Sequence, residues 1–163
     1  MKKQNFLNKM KKEGKIELVE PSEEICKSYL RKADDCLKSA KLLLQNSLYE
    51  NSISMAYYAM YNSLIALFFR VGIKCENHSA SLILFKRLFN RNDLFKIISF
   101  AKKERIDKQY YVTTEKDILT KESAEEMYKK AENFLIQIKI LINELHIENI
   151  EKIRKKFVSL FED

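Results

Sequence analysis

The chain has 163 residues, of which 46% are apolar and 33% charged, and its formal net charge at pH 7 is +7. That length suits one domain with a sizeable core. Two glycines and one proline are too few for a sheet protein with many tight turns. The cationic surplus favours a polyanionic partner only weakly, because lysine-rich helical surfaces are common without one.

Several kinds of site and segment are excluded by the residues present. The three cysteines, Cys26, Cys36 and Cys75, are odd in number and have no CxxC spacing, so neither a disulfide framework nor a zinc site is expected. A reducing cytoplasm is the predicted compartment. No signal peptide and no membrane span are predicted, because no long uncharged apolar run occurs. Glycine-rich phosphate loops, HExxH and GxSxG are absent, and no metal or cofactor is predicted.

The first segment, residues 1–15, is a basic N-terminal arm in which lysines alternate with apolar residues. The pattern fits either a short amphipathic helix ending near Gly14 or a frayed, solvated arm. The main helical bundle is predicted over residues 16–146. Residues 147–163 follow as an amphipathic C-terminal helix.

The first long helix is predicted to begin after Ser22, whose hydroxyl can cap it, and to fade after Gln45. Apolar residues follow at helical spacing; they are Ile25, Tyr29, Ala33, Cys36, Leu37, Ala40, Leu43 and Leu44. The second helix runs from about Tyr49 to Arg70 and is apolar on most sides, which predicts a central position in the bundle. Gly72 suits its C-terminal cap.

Two further capping signals mark the starts of the third and fifth helices. After a short polar connection at 74–76, Asn77 can cap a third helix and places His78 in its first turn. A fourth segment spans about 94–106, and residues 109–120 are expected to form a loop. A capping box at 123–126 begins the fifth helix. The sequence therefore predicts an all-α fold, an up-and-down bundle of four to five main helices with short terminal helices.

His78 is the best single candidate for chemistry. The free N–H groups and the positive dipole at the start of a helix favour a bound anion and disfavour the imidazolium, leaving a neutral ring that can act as a base. With an arginine nearby, the pair could bind a phosphodiester and move a proton from a ribose 2′-hydroxyl. From spacing alone we favour the simpler interpretation, in which His78 serves packing and local hydrogen bonding.

The tyrosines can likewise serve either packing or ligand binding. Tyr57, Tyr58 and Tyr61 lie on the central helix, where aromatic residues usually belong to the core. The alternative is that one of them, for which we take Tyr58, lines a cleft with His78. Tyr110 lies in a less periodic stretch and is expected to be more accessible.

The stretch AYYAMYNSLIALFFRVGIKCENHSASLILFKRLF resembles the second and third helices of HEPN domains, in particular the small stand-alone HEPN proteins of prokaryotes. The likeness continues into KKERIDKQYYV and covers about 14–145. It implies a helical bundle that commonly forms a homodimer, and a minimal nucleotidyltransferase as partner in a toxin–antitoxin pair. It also implies binding of RNA or a nucleotide, or metal-independent ribonuclease activity.

The family's active members carry an arginine, four to six intervening residues and then a histidine. His78 matches the histidine, but Arg70 precedes it with seven residues between, and Lys74 lacks the planar fork that suits phosphate. Arg105 could supply the guanidinium if the fourth segment folds back over the third helix.

Three functions therefore remain open. The first is a toxin–antitoxin component that binds RNA or nucleotide around His78, with Asn77, Lys74, Tyr58 and Tyr110 as candidate binding residues. The second is a ribonuclease toxin that uses His78 with Arg70 or Arg105. The third is a non-catalytic helical scaffold.

Overall fold

The computed structural model describes the backbone of residues 2–110 and 120–162, and the side chains of 2–106 and 120–162. The described part contains seven helices and two three-residue strands, so the all-α prediction is confirmed. In chain order the elements are α1 (Lys2–Lys12), β1 (Ile16–Leu18), α2 (Glu23–Gln45), α3 (Tyr49–Val71), β2 (Ile73–Cys75), α4 (His78–Phe89), α5 (Asn92–Tyr110), α6 (Lys121–Glu144) and α7 (Ile147–Ser159).

The α3 helix is the centre of the bundle, as its apolar sequence predicts. It packs against α2, α4, α5, α6 and α7. Its fully buried side chains include Tyr57, Met60, Leu64 and Phe68, each with no exposed surface. The helix ends at Gly72, whose φ of 75° is the left-handed conformation that suits a helix cap.

Side-chain caps begin α2 and α4 where the sequence predicts them, and the cap of α6 is shifted. The hydroxyl of Ser22 accepts from the amide of Ile25 and caps α2. The side chain of Ile25 itself is 40% exposed, contrary to its expected inward position. At α6 the cap is Thr120, whose Oγ1 accepts from the amide of Ser123. The helix therefore begins before the predicted capping box, because an equivalent hydroxyl lies one turn upstream.

A two-stranded antiparallel ribbon joins the segments before α2 and α4. Ile16 pairs with Cys75, Glu17 with Lys74 and Leu18 with Ile73. The residues predicted as a plain polar connection thus belong in part to a strand. Each strand is too short to show a periodic pattern, so the pairing depends on contacts between residues far apart in sequence.

Both ends of the chain pack on the bundle. In α1, Leu7 and Met10 are buried. In α7, Phe157 is 1% exposed, and the guanidinium of Arg154 donates to the carbonyl oxygens of Val19, Val71 and Gly72 at 2.7, 3.1 and 3.1 Å. That guanidinium joins α7 to the ribbon at the point where α3 ends.

The α3 helix, Tyr49–Val71, also has the length and composition of a membrane-crossing segment. However, 72% of its most apolar stretch is buried inside the bundle. The central helix of a packed helical domain has the same composition, because it is covered by protein on all sides.

Candidate functional site

The central helix, α4 and α5 bring aromatic and cationic side chains together around His78. We call this set the His78 cluster; its members are Tyr57, Tyr58 and Tyr61 of α3, His78 of α4, and Lys102 and Arg105 of α5. Tyr57 and Tyr61 are one helical turn apart, as are Lys102 and Arg105, so each pair shares a helix face.

His78 is held in place from three sides. The side chain of Asn77 accepts from the amide of Ala80 at 2.9 Å and so fixes the first turn of α4. The imidazole stacks on the ring of Tyr61, with 3.7 Å between ring centroids and an interplanar angle of 11°. Its Nδ1 lies 2.7 Å from the hydroxyl oxygen of Tyr57. Among the described residues, Nε2 has no hydrogen-bond partner, so it is the ring nitrogen that a ligand can use.

Arg105 contacts the same tyrosines from α5. Its Nη2 donates to the hydroxyl of Tyr58 at 2.6 Å. Its guanidinium carbon lies 4.6 Å from the ring centroid of Tyr58 and 5.5 Å from that of Tyr57, within the range of cation–π attraction. The Nε atom of Arg105 is buried and has no hydrogen-bond partner among the described residues.

Lys102 adds a second cation next to α4. Its Nζ donates to the hydroxyl of Ser79 at 2.5 Å. Burial and the charge of Arg105 both lower the pKa of Lys102. Two cations thus lie on one face of α5 beside the first turn of α4.

The electrostatics of the cluster keep the histidine neutral. Burial, and then the charges of Arg105 and Lys102, lower the pKa of His78 to about 4. Burial raises the pKa of Tyr57 far above its ordinary value, and raises that of Tyr61 to about 12. At neutral pH the site therefore combines an uncharged imidazole and protonated phenols with two cations.

The structure brings three of the candidate residues together. His78, Arg105 and Tyr58 all lie in the cluster, and α5 does fold back against α3 and α4. Tyr57 is both a core residue and a neighbour of His78, since its ring is fully buried and its hydroxyl lies within hydrogen-bond distance of the imidazole.

The other candidates are found elsewhere or serve another purpose. Arg70 donates to the carbonyl of Leu145 at the end of α6. Lys74 lies on β2 and pairs with Glu17 and Glu76. Asn77 acts as the cap of α4. Tyr110 ends α5, and its side chain lies outside the described residues, as does most of the stretch 109–120 that was expected to be a loop.

Sequence reasoning missed Lys102 as a member of the site. Its spacing from Arg105, three residues along one helix, was a usable signal, because such residues share a helix face. Among the described residues, no group of three His, Cys, Asp or Glu side chains is arranged to hold a metal ion.

Comparison with known proteins agrees with the bundle and its sequence pattern. The family model of the HEPN domain matches residues 26–141. The chain belongs to the HEPN family. A protein of Thermotoga maritima named "UPF0332 protein" is 30% identical over 128 residues, which cover 76% of this chain and 95% of that protein. A protein of Methanocaldococcus jannaschii named "Putative toxin" is 30% identical over 118 residues, covering 69% of this chain and 85% of that protein.

Proposed function

We propose that this HEPN protein is toxin-like and binds RNA, with a backbone phosphate held at the His78 cluster. The likeness to the M. jannaschii protein supports the toxin-like part of the proposal. The observation that carries the binding part is the convergence of Arg105, Lys102 and His78 on one small surface.

The charge balance of the cluster suits a phosphate. The two charged groups that act on His78, Arg105 and Lys102, are both cationic. Arg105 uses one N–H on a tyrosine hydroxyl, and its buried Nε has no partner within the described structure. A guanidinium with donors left over binds phosphate oxygens in a forked geometry. A phosphate would therefore offset the charges of two cations.

The tyrosines favour a nucleotide over a free inorganic anion. Tyr58 is partly exposed and lies beside the guanidinium, so a base could stack near the phosphate that Arg105 holds. Single-stranded RNA is bound in this way, by aromatic side chains for bases and cations for the backbone.

A second candidate function is cleavage of the bound strand without a metal ion. The neutral state of His78 favours it, because only an unprotonated ring can remove a proton from a 2′-hydroxyl. The 2′-oxygen would then attack the phosphorus and the bond to the 5′-oxygen would break, giving a 2′,3′-cyclic phosphate and a free 5′-hydroxyl. Arg105 would stabilise the charge on the phosphate, and Lys102 would protonate the departing oxygen.

We further propose a homodimer and a minimal nucleotidyltransferase partner, both in keeping with the family resemblance. Apolar side chains exposed on α5 and α6 offer contact area; they are Phe100, Ile106, Ile136 and Ile140. Light scattering tests the homodimer directly. A mass of 19.4 kDa at micromolar concentration would contradict it.

The RNA proposal is tested by fluorescence anisotropy with a 12-nucleotide mixed single-stranded RNA. Arg105→Gln should weaken binding at least about tenfold, the usual effect of removing a charged hydrogen bond. Lys103→Gln is the matched control, since it removes one charge from an exposed position on the same helix, and it should change affinity less than about twofold. Equal losses in the two variants, or no binding by the wild type, would contradict the proposal.

Cleavage is tested in the same samples with a chelator present. If the second candidate is right, wild type cuts the RNA and His78→Ala does not, while both bind it. Intact RNA with folded wild type would leave binding as the function and rule out cleavage of that strand.

A further inference from the structure

A pocket lies on the far half of the α4–α5 surface, away from the His78 cluster. We call it the α4–α5 pocket. It has a volume of about 350 Å³ and is lined by residues of α1, α4 and α5 and of the turn between α4 and α5. A pocket of that size is large enough for a small ligand.

The rim of the pocket is cationic and amide-rich. Lys3 of α1 and Lys86 and Arg87 of α4 supply three positive charges. Asn90 and Asn92, from the turn and the start of α5, supply amide groups. No carboxylate lines the pocket within the described part of the chain. Arg87 is held by the side-chain oxygen of Gln4, which positions the guanidinium without neutralising its charge.

The floor of the pocket is apolar and includes an aromatic ring. Ile83 and Phe95 are half-buried and line it. The Nζ of Lys86 lies 5.0 Å from the ring centroid of Phe95. An aromatic surface for a base, amides for its hydrogen-bonding edge and cations for a phosphate are the groups by which proteins bind nucleotides of single-stranded RNA.

The pocket and the His78 cluster are connected along one face of α4. Ser79, which accepts from Lys102, is followed on the same face by Ile83 and then Lys86, at helical intervals of four and three residues. Seven residues of helix correspond to about 10 Å. A strand stacked as in a duplex rises about 3.4 Å per nucleotide and an extended single strand rises more, so the two sites are at most about three nucleotides apart.

We propose that the α4–α5 pocket binds a nucleotide of the same RNA strand whose phosphate lies at the His78 cluster, at most about three nucleotides away. This rests on the proposed RNA binding at that cluster. The pocket would fix the direction and register of the strand, and so determine which phosphate is placed beside His78.

The test measures anisotropy of a fluorescein-labelled 12-nucleotide mixed single-stranded RNA at several salt concentrations. The pocket variant is Lys3→Gln/Lys86→Gln. It should bind at least about tenfold more weakly than wild type, and the slope of log K against log salt should shrink by about 0.7 for the phosphate that the protein no longer neutralises. Phe95→Leu keeps the apolar floor but removes the ring, and should weaken binding several-fold because a base can no longer stack there.

The matched control is Lys27→Gln/Lys38→Gln, which removes the same charge from exposed positions on α2. It should change affinity less than about twofold. If the pocket variant behaves like this control while Arg105→Gln loses binding, the pocket inference is wrong and the proposed function stands. If the pocket variant loses binding and Arg105→Gln does not, the pocket binds RNA, but the proposed function at His78 and the shared strand that depends on it are both wrong. No binding by wild type overturns both.

The length of the RNA tests whether the two sites share one strand. A dinucleotide is too short to reach both, so wild type should bind the 12-nucleotide RNA far more tightly than the dinucleotide. In the pocket variant that advantage should largely disappear. An advantage of unchanged size would overturn the inference. Circular dichroism of each variant confirms that it is folded.

Discussion

The Nδ1 atom of His78 lies 2.7 Å from the hydroxyl oxygen of Tyr57, a residue of the central helix with no exposed surface. This bond ties the first turn of α4 to the most buried aromatic residue of the site. Because burial strongly raises the pKa of Tyr57, the phenol stays protonated and the bond never becomes an ion pair with a phenolate. The orientation of the imidazole is therefore set by the core of the bundle.

The first prediction concerns the titration of His78. Its pKa, lowered by burial, Arg105 and Lys102, should be about 4 in the folded protein, against an ordinary value of 6.5. Between these values the unfolded chain binds a proton that the folded chain does not, so the free energy of unfolding should fall as pH decreases from about 6.5 to about 4. NMR of the imidazole resonances measures the midpoint directly.

A matched variant isolates this effect from the carboxylates that also titrate in that range. His78→Gln should lose the part of the pH dependence that belongs to the imidazole and keep the rest. In Arg105→Gln the midpoint of His78 should rise, because one of the two cations that disfavour its protonated form is gone. A wild-type midpoint at or above 6.5 would contradict this account of the site.

The second prediction separates capping from ligand binding at Asn77. Its side chain accepts from the amide of Ala80, so Asn77→Ala should lower the free energy of unfolding by about 1 kcal/mol. Asn77→Ser keeps a capping oxygen and should restore most of that stability. Urea denaturation measures both variants. A loss of RNA affinity in Asn77→Ser with normal stability would instead show that Asn77 contacts the ligand.

The third prediction concerns the end of α3. Gly72 has a φ of 75°, and an added Cβ would collide with Arg154 and with the carbonyl of Val19, and would lie 2.9 Å from the backbone nitrogen of Pro21. Gly72→Ala should therefore reduce the free energy of unfolding by at least about 2 kcal/mol, through backbone strain and this collision together.

Gly14 provides the comparison, because its φ of 69° is similar while its Cβ position meets only a side-chain atom of Glu17, at 3.5 Å. Gly14→Ala should cost about 1 kcal/mol, the effect of the backbone conformation alone. Chemical denaturation of both variants gives the difference. Equal losses would mean that the collision at Gly72 is relieved by movement of its neighbours.

The fourth prediction concerns Arg154. Its guanidinium donates to three backbone carbonyls, so Arg154→Ala should destabilise the protein by about 2–4 kcal/mol, because partly buried acceptors lose a charged donor. Lys155→Ala removes a charge from the exposed neighbouring position and should change stability by less than about 0.5 kcal/mol. Hydrogen exchange should show faster opening of α7 only in the Arg154 variant.

The helices of this fold could be predicted from local signals because each signal acts within one turn. Ser22 and Asn77 cap helices by bonds to amides three residues on, and Gly72 ends α3 by its own backbone conformation. The ribbon escaped prediction because Glu17 pairs with Lys74, which lies far along the chain beyond two long helices, and no local pattern reports such a contact.

In the candidate site, too, local features could be predicted from the sequence and long-range contacts could not. Placement of His78 in a first helical turn follows from its neighbour Asn77 alone. The arginine that accompanies His78 does not follow from the sequence, because Arg70 and Arg105 are both plausible there. Only the path of α5 brings Arg105 to the tyrosines. Arg70 is directed to the carbonyl of Leu145 at the end of α6, an interaction that spacing does not reveal.

The chain has eight tyrosines and no tryptophan. Its near-ultraviolet absorbance and intrinsic emission therefore come mainly from phenol rings. Two of those rings, Tyr57 and Tyr61, contact His78, and a third, Tyr58, contacts Arg105. A ligand that displaces the guanidinium of Arg105 from the ring of Tyr58 would change the optical environment of this group. The tyrosines of the His78 cluster can therefore report the binding of a ligand there without an added label.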